Sequence, residues 1–136
     1  PNYEPMYEKK IKEDMDCGIT VAMKVFGAKW KPCIIDCIAK GYGRPSEIHR
    51  RIPEAAPRVL DMQLSELYDM GVVSKTTGTG FPLISEYKLT ELGESIVPIV
   101  TAIDSWGMNY IQTNQGKPGR NCVTPAQAAL PVSVTI

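Results

Sequence analysis

The stretch "APRVLDMQLSELYDMGVV", residues 56–73, decides the fold because it holds one complete amphipathic helix with its start and its end. A single apolar stripe recurs in it at helical spacing, made of Val59, Leu60, Leu64 and Leu67. Pro57 suits the first helical position, and Gly71 suits the position after the last turn. The opposite face carries one basic residue, so its purpose depends on the elements around the helix.

Two helices are predicted near the start of the chain. The first begins at about Ile19, and its apolar residues recur at helical spacing until the glycine of "FGAKW" interrupts them. The second runs from Trp30 to Ile38 with the i, i+3, i+4, i+7 apolar pattern of a half-buried helix. Both therefore contribute one face to a common core.

A turn and a third helix follow. In "GYGRP", residues 41–45, we expect Gly41 and Gly43 to take positive φ and Pro45 to be unable to continue a helix. Ser46 is expected to cap the helix "SEIHRRI", which must end near Pro53 because the residue before a proline disfavours helical geometry.

A hairpin and a long helix complete the pattern. Two β-like runs at 72–77 and 83–89 are joined by "GTGFP", whose glycines permit a hairpin. From Thr90 an amphipathic helix is predicted, with apolar residues at intervals of roughly 3.5 positions. Pro98 lies inside this helix and should kink it. The tail from Asn114 is rich in proline and small residues, so we expect it to be irregular or loosely docked.

Length and charge limit the class of protein. A chain of 136 residues forms one compact domain and buries a core without disulfides or metals. Fifteen basic and fifteen acidic residues cancel, so any attraction to nucleic acid must come from their local arrangement. The N-terminal stretch is too charged for a signal peptide, and no apolar run approaches the roughly 18 residues of a membrane span. We therefore expect a cytoplasmic protein with no membrane partner.

The order of these elements predicts a winged helix-turn-helix. The expected fold class is mainly α (α+β), with a two-stranded wing and a long C-terminal dimerisation helix. We divide the chain into an N-terminal arm with a dimer contact (1–16), the winged domain with its dimerisation helix (17–113) and an irregular tail (114–136).

Four motifs carry a family resemblance. Gly-x-Lys-Trp opens the second helix at 27–30, Ser-Glu-Ile opens the third at 46–48, and Pro-Arg-Val-Leu opens the fourth at 57–60. Glu-Tyr-x-Leu-Thr-x-x-Gly leaves the hairpin at 86–93. With these motifs, most of the chain resembles the HxlR-type winged helix-turn-helix regulators, relatives of MarR. The resemblance implies a homodimeric transcription factor on palindromic operator DNA, often a repressor, and in some members an oxidant or electrophile sensor at the position of Cys17.

The exposed face of the fourth helix is the predicted reader of DNA bases. In a winged helix-turn-helix this face enters the major groove. Gln63 would pair with adenine, Arg58 with guanine or a phosphate, and Asp61 with the cytosine amino group. Met62 shares the face. The alternative is a solvated polar face, which helical periodicity alone does not separate from a DNA-reading one.

Phosphate contacts are predicted around this helix. Ser46 at a helix start would offer its hydroxyl and backbone amides, with Lys31 and Arg44 beside it. Further candidates are basic or hydroxyl residues that could cluster on the same side: Lys29, Arg50, Arg51, Lys75 and Thr77. Phe81 is expected to pack against the base of the hairpin, and His49 to lie on a polar surface.

The long C-terminal helix is the predicted dimer interface. Its apolar stripe is too extensive for the small core, and such a patch usually marks a partner; its members are Ile96, Ile99, Ile103, Trp106 and Tyr110. Tyr7 is expected to join this interface. The alternative is that the stripe packs onto the first helix of the same chain.

The four cysteines are expected to be reduced thiols. Cys33 and Cys37 lie on an apolar stripe and are predicted to be buried and inert. Cys17 at a helix start is the predicted redox sensor, or alternatively a structural thiol. Cys122, beside Arg120, either reacts or pairs with Cys17 of either subunit. Cys-x-x-x-Cys with one distant histidine is a poor zinc ligand set, so we expect neither metal nor cofactor.

Two other classes of function were compared with DNA binding. Catalysis is disfavoured because no nucleophile, base and orienting group assemble around one histidine, and "TGTG" lacks the lysine of a phosphate loop. The remaining rival is a winged-helix dimer that binds a small molecule or a protein, with weak or no DNA binding. In either case a cleft between the dimer helix and the core could take an apolar or oxidant effector.

Overall fold

The computed structural model describes residues 17–80, 84–120 and 122–123, which form five helices and one two-stranded sheet. In chain order these elements are α1 (Gly18–Phe26), α2 (Lys31–Ala39), α3 (Pro45–Arg51), α4 (Pro57–Asp69), β1 (Val73–Thr77), β2 (Ser85–Leu89) and α5 (Glu91–Gln115). The expected winged helix-turn-helix with a long C-terminal helix is confirmed. The predictions for Tyr7, Phe81 and most of the tail lie outside the described residues.

The core forms where α2 meets the helices around it. Ile34, Ile35 and Cys37 on α2 are completely buried, which confirms the predicted core position of the Cys37 thiol. Around them lie the buried apolar residues of the later elements: Ile48, Ile52, Leu60, Leu64, Leu67, Val72 and Val73. The apolar stripes that predicted α2 and α4 are thus faces that meet in the core, whereas Ile19 and Met23 of the stripe that predicted α1 are exposed.

The turn before α3 differs in detail from the prediction. Gly41 has a φ of 99°, as expected, but Gly43 does not have a positive φ. Gly43 is required for another reason, since a side chain there would collide with the carbonyl oxygen of Tyr87 on β2. The Tyr87 amide donates to the carbonyl of Gly43 at 2.8 Å, so the turn is bound directly to the wing.

Helix α3 begins one residue earlier than predicted. Pro45 takes the first helical position, where its fixed φ is favourable and its missing N–H costs nothing. Ser46 is therefore the second residue of the helix and not its cap. Arg44 precedes the helix, and its backbone amide donates to the Glu47 carboxylate at 3.2 Å.

The wing is an antiparallel pair in the register Val73 with Leu89 and Thr77 with Ser85. Val73 is buried at its base, and the remaining residues of β1 are exposed. The amide of Gly78 donates to the carbonyl of Ile84 at 2.8 Å, beyond the last paired residues. The hairpin therefore projects from the core as a polar arm.

The long helix α5 is tied to the core at its start. The hydroxyl of Thr90 accepts a hydrogen bond from the Gly93 amide at 3.1 Å and donates to the carbonyl of Gly71 at 2.6 Å. The helix continues through Pro98 and ends at Gly116, whose φ is 69°. The irregular tail thus starts two residues after the predicted Asn114.

The prediction that Cys33 and Cys122 are reduced thiols was wrong. Cys33 is bonded to Cys122 in a disulfide that joins residues 89 positions apart. Cys33 is therefore not an inert core thiol, and Cys122 does not pair with Cys17, because the tail returns from the end of α5 to the start of α2. No helix within the described ranges is both long and apolar enough to cross a bilayer.

Candidate nucleic-acid interface

The outward face of α4 is a continuous exposed strip. It comprises the residues at i, i+3, i+4 and i+7: Arg58, Asp61, Met62 and Ser65. Leu60, Leu64 and Leu67 hold the opposite face in the core. This strip offers a guanidinium donor, a carboxylate acceptor, a thioether and a hydroxyl along one line. Those are the kinds of groups that read base edges in a major groove.

Gln63 does not belong to this strip, so its predicted role in base reading was wrong. Only 8% of the residue is exposed, and its side chain lies on the face that carries Leu60, Leu64 and Leu67. The spacing of Gln63 from Leu60 and Leu67, three and four residues, was the signal that could have placed it there.

Asp61 is paired across the helix-turn-helix. Its Oδ1 lies 2.6 Å from Nε2 of His49 on α3. A neutral imidazole donates its Nε2–H to the carboxylate, which leaves the other carboxylate oxygen able to accept a further hydrogen bond. His49 lies at the surface, as expected, but nothing in the sequence indicated Asp61 as its partner. The pair fixes one acceptor on the exposed strip of α4.

Lys31 and Arg51 are buried, so they do not reach the surface predicted for phosphate contacts. Nζ of Lys31 lies 2.8 Å from the Glu66 carboxylate and donates to the carbonyl of Lys24 at 3.1 Å. The guanidinium of Arg51 stacks 4.2 Å above the ring of Tyr42. Each cation is covered because it falls on the apolar stripe of its own helix. They position helices instead of binding phosphate.

Arg44 and the wing lie side by side. A shallow cleft of about 320 Å³ is lined by Arg44 together with Thr76 and Thr77 of β1. Lys75 is exposed on the same strand, with its Nζ 5.8 Å from the ring centroid of Tyr87. A basic group and two hydroxyls therefore occur together beside α3, as groups that bind a sugar–phosphate backbone do, and Glu86 of β2 adds one acidic residue to the same cleft.

Three other predicted contacts are accessible. Ser46 and Arg50 are exposed on α3. Lys29 is exposed in the turn between α1 and α2, with its Nζ 5.0 Å from the ring centroid of Trp30. Their roles toward DNA stay predictions.

The outer face of α5 carries large apolar side chains in solvent. Trp106 is 70% exposed, and its ring stacks on that of Tyr110 with centroids 5.5 Å apart. The stripe also includes Ile99, Ile103 and Leu92, the last of which was not predicted. Ile96 was wrongly placed in the exposed stripe, since it packs partly against the core beside the buried Val100. Packing onto α1 does not cover the stripe within the described residues.

The family model for HxlR-like helix-turn-helix proteins matches residues 25–115. The chain belongs to the HxlR-like family. An HTH-type transcriptional regulator of Methanothermobacter thermautotrophicus is 38% identical over 103 residues, which are 74% of this chain and 79% of that protein. YkvN, an HTH-type transcriptional regulator of Bacillus subtilis, is 35% identical over 111 residues, 82% of this chain and 94% of YkvN.

Solved structures agree with this family. The reduced form of HypR, a redox regulator, has a TM-score of 0.68 and 30% identity, covering 74% of this chain and 100% of that chain. The HxlR-like chain is therefore a transcriptional regulator of the helix-turn-helix type, a class of DNA-binding proteins and not of enzymes.

Two thiols of this HxlR-like regulator are free, and their surroundings differ. Cys17 is exposed immediately before α1, and a hydrogen bond from the Thr20 side chain, followed by those from the Thr20 and Ile19 amides, lowers its pKa. Burial raises the pKa of Cys37 to about 11. The thiolate is the reactive form, and of these two thiols Cys17 has the greater thiolate character.

A cleft of about 300 Å³ separates α2 from α5 in this HxlR-like fold. Its wall combines apolar, acidic and sulfur-bearing residues: Pro32, Cys33, Asp36, Val100, Asp104 and Cys122. The expected space between the dimer helix and the core therefore exists. Within the described ranges, no three His, Cys, Asp or Glu side chains converge as a metal site requires.

Proposed function

We propose that the protein is a homodimeric regulator that binds a palindromic operator and represses transcription. The observation that carries this proposal is the exposed strip of α4, which faces away from the core next to a polar wing. A helix presented in this way fits the major groove, and a wing beside it follows the sugar–phosphate backbone.

Arg58 is the proposed principal contact in the major groove. It stands in the first turn of α4, exposed, where the N-terminal residues of a recognition helix contact bases. Asp61 would accept a hydrogen bond from a cytosine amino group through the carboxylate oxygen that His49 leaves available. Arg44, Lys75 and Thr77 would bind phosphates on one side of this contact.

A second copy of the chain is the proposed occupant of the exposed stripe on α5. Leu92, Ile99, Ile103, Trp106 and Tyr110 follow spacings of seven, four, three and four residues, the repeat of a helix–helix seam. A two-fold dimer would carry two α4 helices, and recognition helices about 34 Å apart match successive turns of a palindromic site. A dimer bound over a promoter would obstruct transcription, which is the reason for proposing repression.

Cys17 is the proposed site of an oxidant or electrophile response. Its exposure and lowered pKa give it the thiolate character that such reactions need. The similarity to HypR, a redox regulator, supports this part of the proposal.

A fluorescence-anisotropy titration against duplex DNA from upstream of the protein's own gene tests the proposal, at low and moderate salt. Arg58→Ala is expected to weaken binding by about tenfold, because a good base contact contributes about 1–3 kcal/mol. Lys117→Ala removes the same charge beyond the end of α5 and is the matched control. Equal affinities of wild type and Arg58→Ala would remove the recognition role of α4.

The second candidate is a winged-helix module that binds a small molecule or a protein with little affinity for DNA. The cleft between α2 and α5 favours it, since it is large enough for a small effector. The absence of salt-sensitive binding to any duplex in the same titration would favour this candidate over operator binding.

A further inference from the structure

The end of the described chain folds back over the domain as a strap, defined as residues 116–120 and 122–123. It turns at Gly116, where a left-handed backbone conformation ends α5. Gly119 then lies so close to α5 that a Cβ atom there would be 2.5 Å from the Met108 sulfur. The strap thus runs against the helix that precedes it.

Three contacts join the strap to other parts of the fold. The disulfide joins Cys122 to Cys33 in the first turn of α2. Val123, the next residue, is 5% exposed and belongs to the hydrophobic core. The guanidinium of Arg120 lies 3.2 Å from the carboxylate of Glu54, which stands in the turn between α3 and α4. The strap therefore touches the dimer helix, the core and the helix-turn-helix turn.

The disulfide can be reached from solvent. Cys122 lines two surface clefts, one of about 300 Å³ shared with Cys33 and one of about 410 Å³ that also includes Gln115 and Lys117. Both cysteines are only partly buried. A small thiol reagent entering either cleft therefore lies next to Cys122.

We propose that Cys33 and Cys122 form a thiol–disulfide exchange site, and that their redox state controls DNA binding by holding or releasing the strap. The inference rests on the proposed function for its DNA readout. Disulfides in compartments where DNA-binding proteins act are usually transient and redox-sensing, because thiol reductants keep structural ones from persisting. A disulfide that joins residues 89 positions apart in such a protein is consistent with a redox switch.

The exchange needs a dithiol as the reductant. One thiolate of the dithiol attacks Sγ of Cys122, which breaks the bond to Cys33 and releases the Cys33 thiolate. The second thiol of the dithiol then displaces Cys122 and closes a cyclic disulfide. Two electrons pass to the protein, two protons end on Cys33 and Cys122, and the dithiol is oxidised. Oxidation by a small-molecule disulfide reverses these steps.

The redox state of the Cys33–Cys122 pair affects DNA binding through the orientation of α5. When bonded, the strap links the distal end of α5 to the start of α2, so the dimer helix and the DNA-binding core have one relative orientation. That orientation sets the separation of the two α4 helices in a dimer. Reduction removes the link, so the two α4 helices of a dimer take several separations. Binding to DNA must then select one of them. We therefore expect weaker operator binding in the reduced state.

The first experiment identifies the bond without DNA. Unreduced protein, alkylated under denaturing conditions, is expected to show two free thiols, and four after dithiothreitol. Trypsin should yield the peptide 30–40 linked to the peptide 121–136, and the link should be absent in Cys122→Ser. Four free thiols in protein exposed to a small-molecule disulfide would overturn the exchange site.

The second experiment measures operator affinity in both redox states. Wild type is expected to lose about fivefold or more in affinity on reduction, within the usual range of coupling between sites. Cys122→Ser should bind like reduced wild type in either state, and Cys33→Ser provides the same comparison from α2. Cys17→Ser removes the separate oxidant response proposed for Cys17, so the difference in affinity that this variant keeps reports the strap alone.

The two experiments separate the possible failures. A linked peptide with equal or tighter DNA binding after reduction overturns the control of DNA binding by the strap. No binding to any duplex in either state overturns the proposed function, while the peptide linkage still answers whether the exchange site exists.

Discussion

At the scale of single residues, burial decides what each polar side chain does. Lys31, Arg51 and Gln63 all looked available for DNA, yet each lies on the stripe that faces the core. A buried cation requires a partner, and Lys31 has Glu66 while Arg51 has the ring of Tyr42. Their polarity led to the prediction that all three face outward, whereas each lies three residues from a buried apolar residue of its own helix.

Gln63 offers a direct test of this distinction. Its Oε1 is buried without a hydrogen-bond partner among the described residues, and an unsatisfied buried polar group costs about 1–3 kcal/mol. Gln63→Leu is therefore expected to raise the free energy of unfolding by about 1 kcal/mol in urea titrations and to leave DNA affinity unchanged. A loss of affinity comparable with that of Arg58→Ala would show that Gln63 reads bases after all.

The two free thiols should differ in how their rate of alkylation depends on pH. Hydrogen bonds to Thr20 and Ile19 lower the pKa of Cys17, whereas burial raises that of Cys37 to about 11. At neutral pH Cys17 is therefore more ionised than an ordinary thiol, and Cys37 less. Iodoacetamide labelling followed by peptide mass spectrometry should show Cys17 reacting first at neutral pH. Thr20→Val should shift its labelling curve to higher pH, and an unchanged curve would contradict the assigned cause.

At the scale of elements, the connections between them carry as much information as the helices. Within the part of the chain that the structure describes, the sequence predicted the five helices and the hairpin to within a few residues, because each has an apolar stripe or a proline or glycine boundary. It misassigned the reason for Gly43, whose requirement comes from Tyr87, 44 positions later in the chain. Contact with a distant strand leaves no local pattern.

Gly43→Ala tests this close approach. The added methyl group meets the Tyr87 carbonyl, so the turn or β2 must shift, and overpacking of this kind costs about 1–3 kcal/mol. Urea unfolding should show a lower midpoint with a similar slope. Gly80→Ala, at a position with open space around it, is the matched control. Equal stability of both variants would mean that the wing shifts to accept the added methyl group without a loss in the free energy of unfolding.

At the scale of the whole molecule, α5 separates two surfaces. Its inner face holds Gly93 and Val100 against the core, and its outer face leaves Ile99, Ile103 and Trp106 in solvent. Exposed apolar patches of this extent usually mark an interface. The surfaces proposed for assembly and for DNA reading thus lie on different elements, and the strap contacts both α5 and the turn before α4.

Trp106→Asp should produce a monomer if α5 forms the dimer seam. A carboxylate at the centre of an apolar interface would have to be desolvated without a partner, which is strongly unfavourable. Sedimentation velocity should show the molecular mass falling from two chains to one. Thr113→Asp, an exposed polar position near the end of the same helix, should remain dimeric. A dimeric Trp106→Asp protein would place the seam elsewhere.

The sequence by itself determined the fold class, the helix α4 and the long helix α5, because these depend on short-range periodicity and on proline and glycine boundaries. It also determined Cys37 as a core thiol. Only the tertiary structure decided which polar residues stay exposed, that His49 holds Asp61, and that Cys33 bonds to Cys122. These features join residues 12 and 89 positions apart. Such pairings arise from how helices pack and where the chain returns, and no local spacing encodes them.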